Sequence, residues 1–449
     1  MRQSLRRFVR LALRHRLFFL LLLLILGCAV CGAVPQAGDS PGSGAAAESR
    51  PAPRNYRLTP QEARKALVYA ESERELYFLG FAYSAIVLFL LLLYRLPVRY
   101  RDWAESVSRN RLAQAALFLP ALLFTLAILN LPADIAGHSL DRRFGLSVQG
   151  WGSWSWDQLK GDLLAAAVGI FLVWLLYAAI RRSPRRWWFH AWLASLPLIV
   201  FFVFVAPVVI EPMFFRFTPL ANSDPELAMQ LERVAVHAGQ KIPESRMYLM
   251  VASAKLNELN AYVDGVGASE RVVVWDTTIA HMTAPEIAFV FGHELGHYVL
   301  GHIYQGMAFG AALLFVGLWL TSILYRWMIR KYGGGFGLNG ADDYAALPAL
   351  LLLALLLNFA GSPVSNAFSR HLEHQADQYG LEAVHGVIPD APDVAAQAFQ
   401  ILGEQDLAEL APSDFTQFWF YTHPSIADRI RFAYEYDPWG QGELPQFVK

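Results

Sequence analysis

Charge is what this chain has least of. Of its 449 residues, 17% are Asp, Glu, Lys or Arg, against about 25% in an average soluble domain. Neither sign dominates: 37 basic side chains stand against 38 acidic ones. A balanced chain has no global basic field to attract a polyanion, and no nucleic-acid motif is present, so nucleic acid is excluded as a partner. Cysteine is also scarce. Only Cys28 and Cys31 occur, both in the N-terminal apolar run, which leaves the rest of the chain without a disulfide framework or a cysteine zinc site. No internal repeat is found. Apolar residues make up 55% of the chain and the mean hydropathy is positive, which places the sequence among membrane proteins.

A spanning helix needs about 20 mostly apolar residues to cross a hydrocarbon core of about 30 Å. The runs that qualify are Leu17–Val34, Tyr77–Leu96, Leu112–Leu131, Leu163–Ile180, Trp188–Ile210, Gly306–Tyr325 and Tyr344–Gly361. Leu112–Leu131 carries Pro120, which a span tolerates when neighbouring groups satisfy the freed carbonyl. The expected organisation is an N-terminal anchor or signal segment over 1–34, a Pro/Gly/Ala/Ser-rich linker and amphipathic lead-in over 35–76, and spans over 77–210. A largely extramembrane insert follows over 211–305, then two spans over 306–361 and a polar C-terminal segment over 362–449. The basic residues before Leu17 fit a signal anchor, a cleaved signal peptide, or a lipoprotein signal ending at Cys28; we take the anchor, because the run is long enough to span. The glycine-rich stretch Gly333–Gly340 reads as a mobile connector, since no strand precedes it as a phosphate loop would require. In the insert, Pro225–Gly239 has helical apolar spacing, while Met247–Met250 and Arg271–Trp275 read as short strands.

His293-Glu294-Leu295-Gly296-His297 is an H-E-x-x-H motif. Thr283-Ala284-Pro285-Glu286 just before it has the form of a capping box with proline in the first turn, so a helix is predicted to begin there. Residues i and i+4 project from one face about 6 Å apart along the axis, which lets both imidazoles reach one zinc ion. Glu294 is then placed to take a proton from water held at the open coordination position. A third protein ligand is still needed. The segment Ser369–Asp377 offers Glu373, with His371 and His374 as rivals; Glu373 is preferred because Asp377 stands four residues on, suited to hold a ligand imidazole by its second N–H. Counted along an unbroken helix, His302 falls about 180° from His293 and faces away. His281 reads as a loop residue and His237 as a surface one.

The ordered set of motifs resembles the type I CAAX prenyl protease group of integral-membrane gluzincin metalloproteases. The matching segments are Phe144-Gly145, Asp157–Gly161, Phe217–Leu220, Asn260–Tyr262, Val272–Thr277, His293–His297, Ser369–Asp377, and Thr422–Ser425 with Arg429. Together they cover about Leu131 to Arg431. The resemblance implies a mainly α, polytopic membrane protein of about seven transmembrane helices around an intramembrane chamber, with a small α+β gluzincin protease insert. It implies one Zn²⁺ per chain held by His293, His297 and Glu373 near one membrane surface. Asn260 and Tyr262 would line the substrate, Val272–Thr277 would be the edge strand, and Asp377, His423 and Arg429 would assist catalysis, His423 or Arg429 at the oxyanion. His423 has a competing reading as a capping or structural histidine.

The expected function is hydrolysis of peptide bonds in membrane-associated or prenylated polypeptides, with the lipid bilayer as the other partner. The alternative is a catalytically silent scaffold or chaperone, against which Glu294 argues. Nothing in the sequence sets an oligomeric state. The basic short segments Arg95–Arg111, Arg181–Arg186 and Arg326–Lys331 fall on one side by span count, together with the basic N-terminus. The positive-inside rule makes that side cytoplasmic. The catalytic side of a bacterial inner-membrane protein would then be extracytoplasmic, whereas in the eukaryotic members of the group it faces the cytosol.

Overall fold

The computed structural model describes residues 52–265 and 270–448. The expected span Leu17–Val34 and both cysteines lie outside the described residues. The membrane part is helical: α1 (Pro60–Leu93), α2 (Leu96–Val107), α3 (Arg111–Phe144), α4 (Trp151–Arg182) and α5 (Trp187–Phe204). The insert contributes β1 (Phe217–Pro219), α6 (Pro225–His237), β2 (Met247–Met250), β3 (Ala261–Asp264), β4 (Arg271–Trp275), α7 (Asp276–His281) and α8 (Ala284–Val299). Then come α9 (His302–Phe336), α10 (Leu347–Val384), α11 (Ala391–Gln405), α12 (Asp414–Phe420) and α13 (Ile426–Glu435). Among the described residues six helices are long and apolar enough to cross a membrane, and each overlaps one of the expected runs, although Tyr77–Leu96 passes the end of α1 at Leu93 and Trp188–Ile210 passes the end of α5 at Phe204.

Several helices extend well beyond their apolar runs. Helix α1 begins at Pro60 because Thr59 and Glu62 form a reciprocal capping box, so the stretch before Tyr77 is continuous with its span. Helix α3 runs through Pro120 and Pro132 and ends at Gly145, which adopts φ 84°. The glycine stretch is only partly a connector. Gly333, Gly334 and Gly335 belong to α9, which ends at Gly337 with φ 75°, and Arg95 donates to the carbonyl of Gly335 at 2.9 Å.

The basic segments meet at one end of the bundle. Besides Arg95 on Gly335, Arg326 donates to the carbonyl of Arg185 at 3.1 Å, and Tyr344 to that of Arg111. Buried Arg101 pairs there with buried Asp343. His302, at the other end of α9, lies about 36 Å away along the axis from Arg326, at about 1.5 Å per residue.

The insert forms a four-stranded sheet in the order β1-β2-β4-β3. Strand β4 pairs parallel with β2 and antiparallel with β3, with Ala261 opposite Val274. The expected edge strand, Val272–Thr277, is therefore interior over Val272–Trp275, and its Asp276 and Thr277 open α7. Its Val272, Val273 and Val274 are buried, as an apolar run between two neighbours should be. The edge belongs to β3. Asp157 of α4 fastens the insert to the membrane helices through Lys255 at 2.5 Å, and Lys160 of the same helix donates to the carbonyl of Met213 at 2.8 Å.

Helices α8 and α10 form the closest pairing near the motif, and glycines allow it. A Cβ at Gly296 would lie 2.8 Å from Cβ of Tyr379, and one at Gly380 would lie 3.0 Å from the backbone nitrogen of His293. Gly292 meets the carbonyl of Gly380 from the other side, at 3.2 Å from its would-be Cβ. Gly296→Ala should therefore lower the thermal stability of the detergent-purified protein, by about 1–3 kcal/mol for overpacking, and reduce the metal it retains. Gly306→Ala on α9, where nothing stands within 4 Å, is the control. Equal melting of the two variants would show that the pairing is not close.

Candidate metal centre

Helix α8 starts where the sequence predicts, with Thr283 and Glu286 capping each other's backbone. His293 and His297 consequently lie one turn apart, their ring Nε2 atoms 3.1 Å from each other. Helix α10 delivers Glu373, whose Oε2 stands 3.2 Å from Nε2 of His293 and 3.4 Å from Nε2 of His297. Among the described residues these are the side chains whose ligand atoms gather as a metal would need. The fit can be tested on the edges of that triangle. A tetrahedral centre with ligands at about 2.0–2.1 Å has edges of about 3.3–3.4 Å, close to the 3.1, 3.2 and 3.4 Å found. Oε2 of Glu373 is moreover a buried oxygen that no well-aligned hydrogen bond answers among the described residues, although three imidazole Nε2 atoms, of His293, His297 and His423, stand within 3.4 Å of it. Two imidazoles and a carboxylate converging this way suit a divalent cation.

The backs of the rings are held as well. Asp377 faces Nδ1 of His293 at 2.8 Å. An ionised carboxylate only accepts, so the proton sits on Nδ1 and the lone pair on Nε2 points inward. Asp377 is buried and accepts from Arg429 too, through Nε at 2.9 Å and Nη2 at 2.6 Å. The guanidinium lies over the Phe399 ring, 4.2 Å from its centroid. Burial pushes the His293 imidazolium down, but Asp377 and Glu373 outweigh it and lift it to about 10. Burial pushes the Glu294 carboxyl up from its ordinary value, against the opposing pull of His293 and His297.

A cavity of about 690 Å³ opens on the centre, lined by His293, Glu294, Asn260, His423 and Arg429 among others. The exposed side chain of Asn260 sits just before β3, and Thr278 fixes its backbone by accepting from its N–H at 2.9 Å and donating to its carbonyl at 2.8 Å. His423 places Nε2 3.1 Å from Oε2 of Glu373 and remains half exposed. Tyr262 is directed elsewhere, its hydroxyl donating to Glu211 at 2.8 Å. His371 and His374 are exposed, and His374 packs against Phe432 instead of joining the triangle. His281 closes α7, with Nδ1 2.8 Å from the carbonyl of Thr277, and His237 is exposed at the end of α6.

One residue stands where the sequence reading did not put it. His302 does not face away: its Nδ1 is 3.0 Å from Nδ1 of His297, and its Nε2 is 3.1 Å from Oε1 of Gln375. The helix does not continue through it. Gly301 takes φ 68° and ends α8, and His302 opens α9 in a new direction. A glycine directly after the last residue of a periodic segment was the available signal.

The chain matches two family models in succession, "CAAX prenyl protease N-terminal, five membrane helices" over residues 45–216 and "Peptidase family M48" over 221–437. It is 34% identical over 376 residues to the uncharacterized metalloprotease YhfN of Bacillus subtilis, covering 84% of this chain and 86% of that protein. CAAX prenyl protease 1 of Saccharomyces cerevisiae is 26% identical over 350 residues, covering 75% and 74%. The crystal structure of Ste24p from S. mikatae superposes with a TM-score of 0.69 over 83% of this chain and 89% of that one; at 22% identity it bears on the fold. The resemblance read from the motifs is borne out: the chain belongs to peptidase family M48, as a multi-pass membrane metalloprotease.

Proposed function

We propose that the protein is a zinc endopeptidase with one Zn²⁺ per chain held by His293, His297 and Glu373, and that it cleaves polypeptides delivered to it at the membrane. The observation that carries this reading is the triangle of ligand atoms with Glu294 beside it, opening on a cavity large enough for an extended segment of peptide. When bound, zinc supplies a Lewis acid that polarises a carbonyl and acidifies water. Glu294 takes the proton of the attacking water and returns it to the leaving amine. His423 donates its N–H to the carbonyl oxygen as charge builds there. Asn260 hydrogen-bonds the backbone of an extended substrate beside β3, since its amide both donates and accepts. Asp377 and Arg429 act through His293, the first holding the imidazole and the second compensating the buried carboxylate. A scaffold would have no use for Glu294.

Relatives named CAAX prenyl proteases favour prenylated polypeptides as a second substrate reading. The orientation decides whether cytosolic prenylated proteins can reach the site. The gathering of basic short segments at the end of the bundle away from the metal centre supports an extracytoplasmic site in a bacterial inner membrane, and hence envelope or membrane proteins as substrates.

Glu294→Ala should retain zinc and lose turnover of casein or a peptide by orders of magnitude, because the base goes while both imidazoles stay. Near-normal cleavage would sink the mechanism. Glu373→Ala should lose zinc on dialysis against a chelator, and Asp377→Asn should hold it about 10–100-fold more weakly. Zinc retained at wild-type level by Glu373→Ala would remove Glu373 from the ligand set. With Cys28 and Cys31 replaced, single cysteines at Ser183 and Ser413 report the orientation on intact cells. A membrane-impermeant thiol reagent should label Ser413→Cys and spare Ser183→Cys. The reverse pattern would put the site in the cytosol, where a prenylated CAAX peptide becomes the substrate to assay.

A further inference from the structure

We propose that His302 and Gln375 are positioning residues for the second ligand imidazole, forming a neutral hydrogen-bond relay that fixes the tautomer of His297. The proposal rests on the reading of His293, His297 and Glu373 as the metal ligands and adds a role for two residues that this reading leaves unused.

The two ligand imidazoles need the same thing and obtain it differently. Each must present a lone pair at Nε2, so each must carry its proton on Nδ1. For His293 a carboxylate, Asp377, accepts that proton's hydrogen bond at 2.8 Å. Nδ1 of His297 instead faces Nδ1 of His302 at 3.0 Å. If His297 ligates through Nε2, the direction of this bond is fixed: Nδ1–H of His297 donates and Nδ1 of His302 accepts. His302 must then be neutral with its own proton on Nε2, and that N–H needs an acceptor. Oε1 of Gln375 stands there at 3.1 Å. The chain of donors and acceptors closes with no atom asked to do two things.

The relay has a built setting. His302 is buried at 4% exposure, so an unanswered ring nitrogen there would be costly. Gly301 at φ 68° supplies the turn that brings His302 back over His297; an L-residue with a side chain is strained in that region. Gln375 comes from α10, between Glu373 and Asp377, so the helix that carries the third ligand also closes the relay. His293 draws on a full negative charge, whereas His297 draws on a neutral acceptor, which leaves it the less basic of the two ligands.

The test compares zinc retained by the full-length, detergent-purified holoenzyme equilibrated against graded chelator, for wild type, His302→Leu, His302→Asn, Gln375→Leu and Glu373→Ala. His302→Leu should weaken zinc retention about 10–100-fold. His302→Asn should recover most of that loss, because its Oδ1 falls near the position of Nδ1 and accepts. Gln375→Leu should shift retention in the same direction by a smaller factor. A His302→Leu protein that holds zinc like wild type, while Glu373→Ala loses it, overturns the relay and leaves the ligand reading intact. If Glu373→Ala keeps its zinc too, it is the ligand reading that fails. Equal loss in His302→Leu and His302→Asn also overturns the relay, since packing and not the accepting atom would then be responsible. Should His302→Leu fail to fold, His302→Asn and Gln375→Leu decide by the same measure: retention of wild-type zinc by Gln375→Leu counts against the relay.

Discussion

The closeness of α8 to α10 is the constraint on which the site depends. Two of the proposed ligands ride on one helix and the third on the other, so the distance between the backbones sets the distance from Glu373 to the imidazoles. Helices faced with ordinary side chains pack with axes about 8–10 Å apart. Here Gly292 and Gly296 meet Tyr379 and Gly380 with no room for a Cβ at the tightest points. Gly296 lies inside the H-E-x-x-H motif itself, between Glu294 and His297. The spacing of that motif explains how two imidazoles share a face; the glycine within it explains how a third ligand from another helix gets near enough to join them. Any added methyl group in this seam acts on ligand geometry as well as on packing.

Beside that seam the buried carboxylate of Asp377 is answered from two sides. Asp377 would be costly alone in the interior, and removing one member of a buried pair typically costs about 3–5 kcal/mol. It is answered by Arg429 from α13 and by His293 from α8, so one carboxylate ties together three helices that are distant in sequence. Arg429 in turn rests on Phe399 of α11, and buried apolar residues of α8, α10, α11 and α13 pack in the same core. The stretch after α10 is thereby part of the centre's support, although the side chains that gather at the metal position come from α8 and α10.

What the sequence made legible is what depends on near neighbours. The cap at Thr283, the one-turn separation of His293 and His297, and the helical pairing of Glu373 with Asp377 are all properties of about a turn of chain, and they can be read directly. Strand existence was legible at Met247–Met250 and Arg271–Trp275 for the same reason. Strand order was not: β4 was taken for the edge and β3 holds it, because pairing is decided by segments far apart in the chain. His302 was misplaced by a rule applied past its limit. The 100° step per residue holds only while the helix continues, and Gly301 ends it. The glycine seam and the Asp377–Arg429 pair were invisible because each needs two distant segments superposed before the contact exists.

The membrane helices act as a ruler for the chemistry. Helix α10 enters at the basic end, carries the apolar run that ends near Gly361, and reaches Glu373 twelve residues later, about 18 Å further along its axis. Helix α9 begins at His302, beside the second ligand, and descends to the same basic end. The centre is thus fixed beyond the apolar portion of the helices that support it and not midway along them. Hydrolysis consumes water, which the hydrocarbon excludes, and a buried polar site within that layer would be expensive to maintain. Placing ligands on the extensions of two spans meets both demands. On the proposed reading, the lengths of α9 and α10 beyond their apolar portions set how far the centre stands from the layer those portions would span.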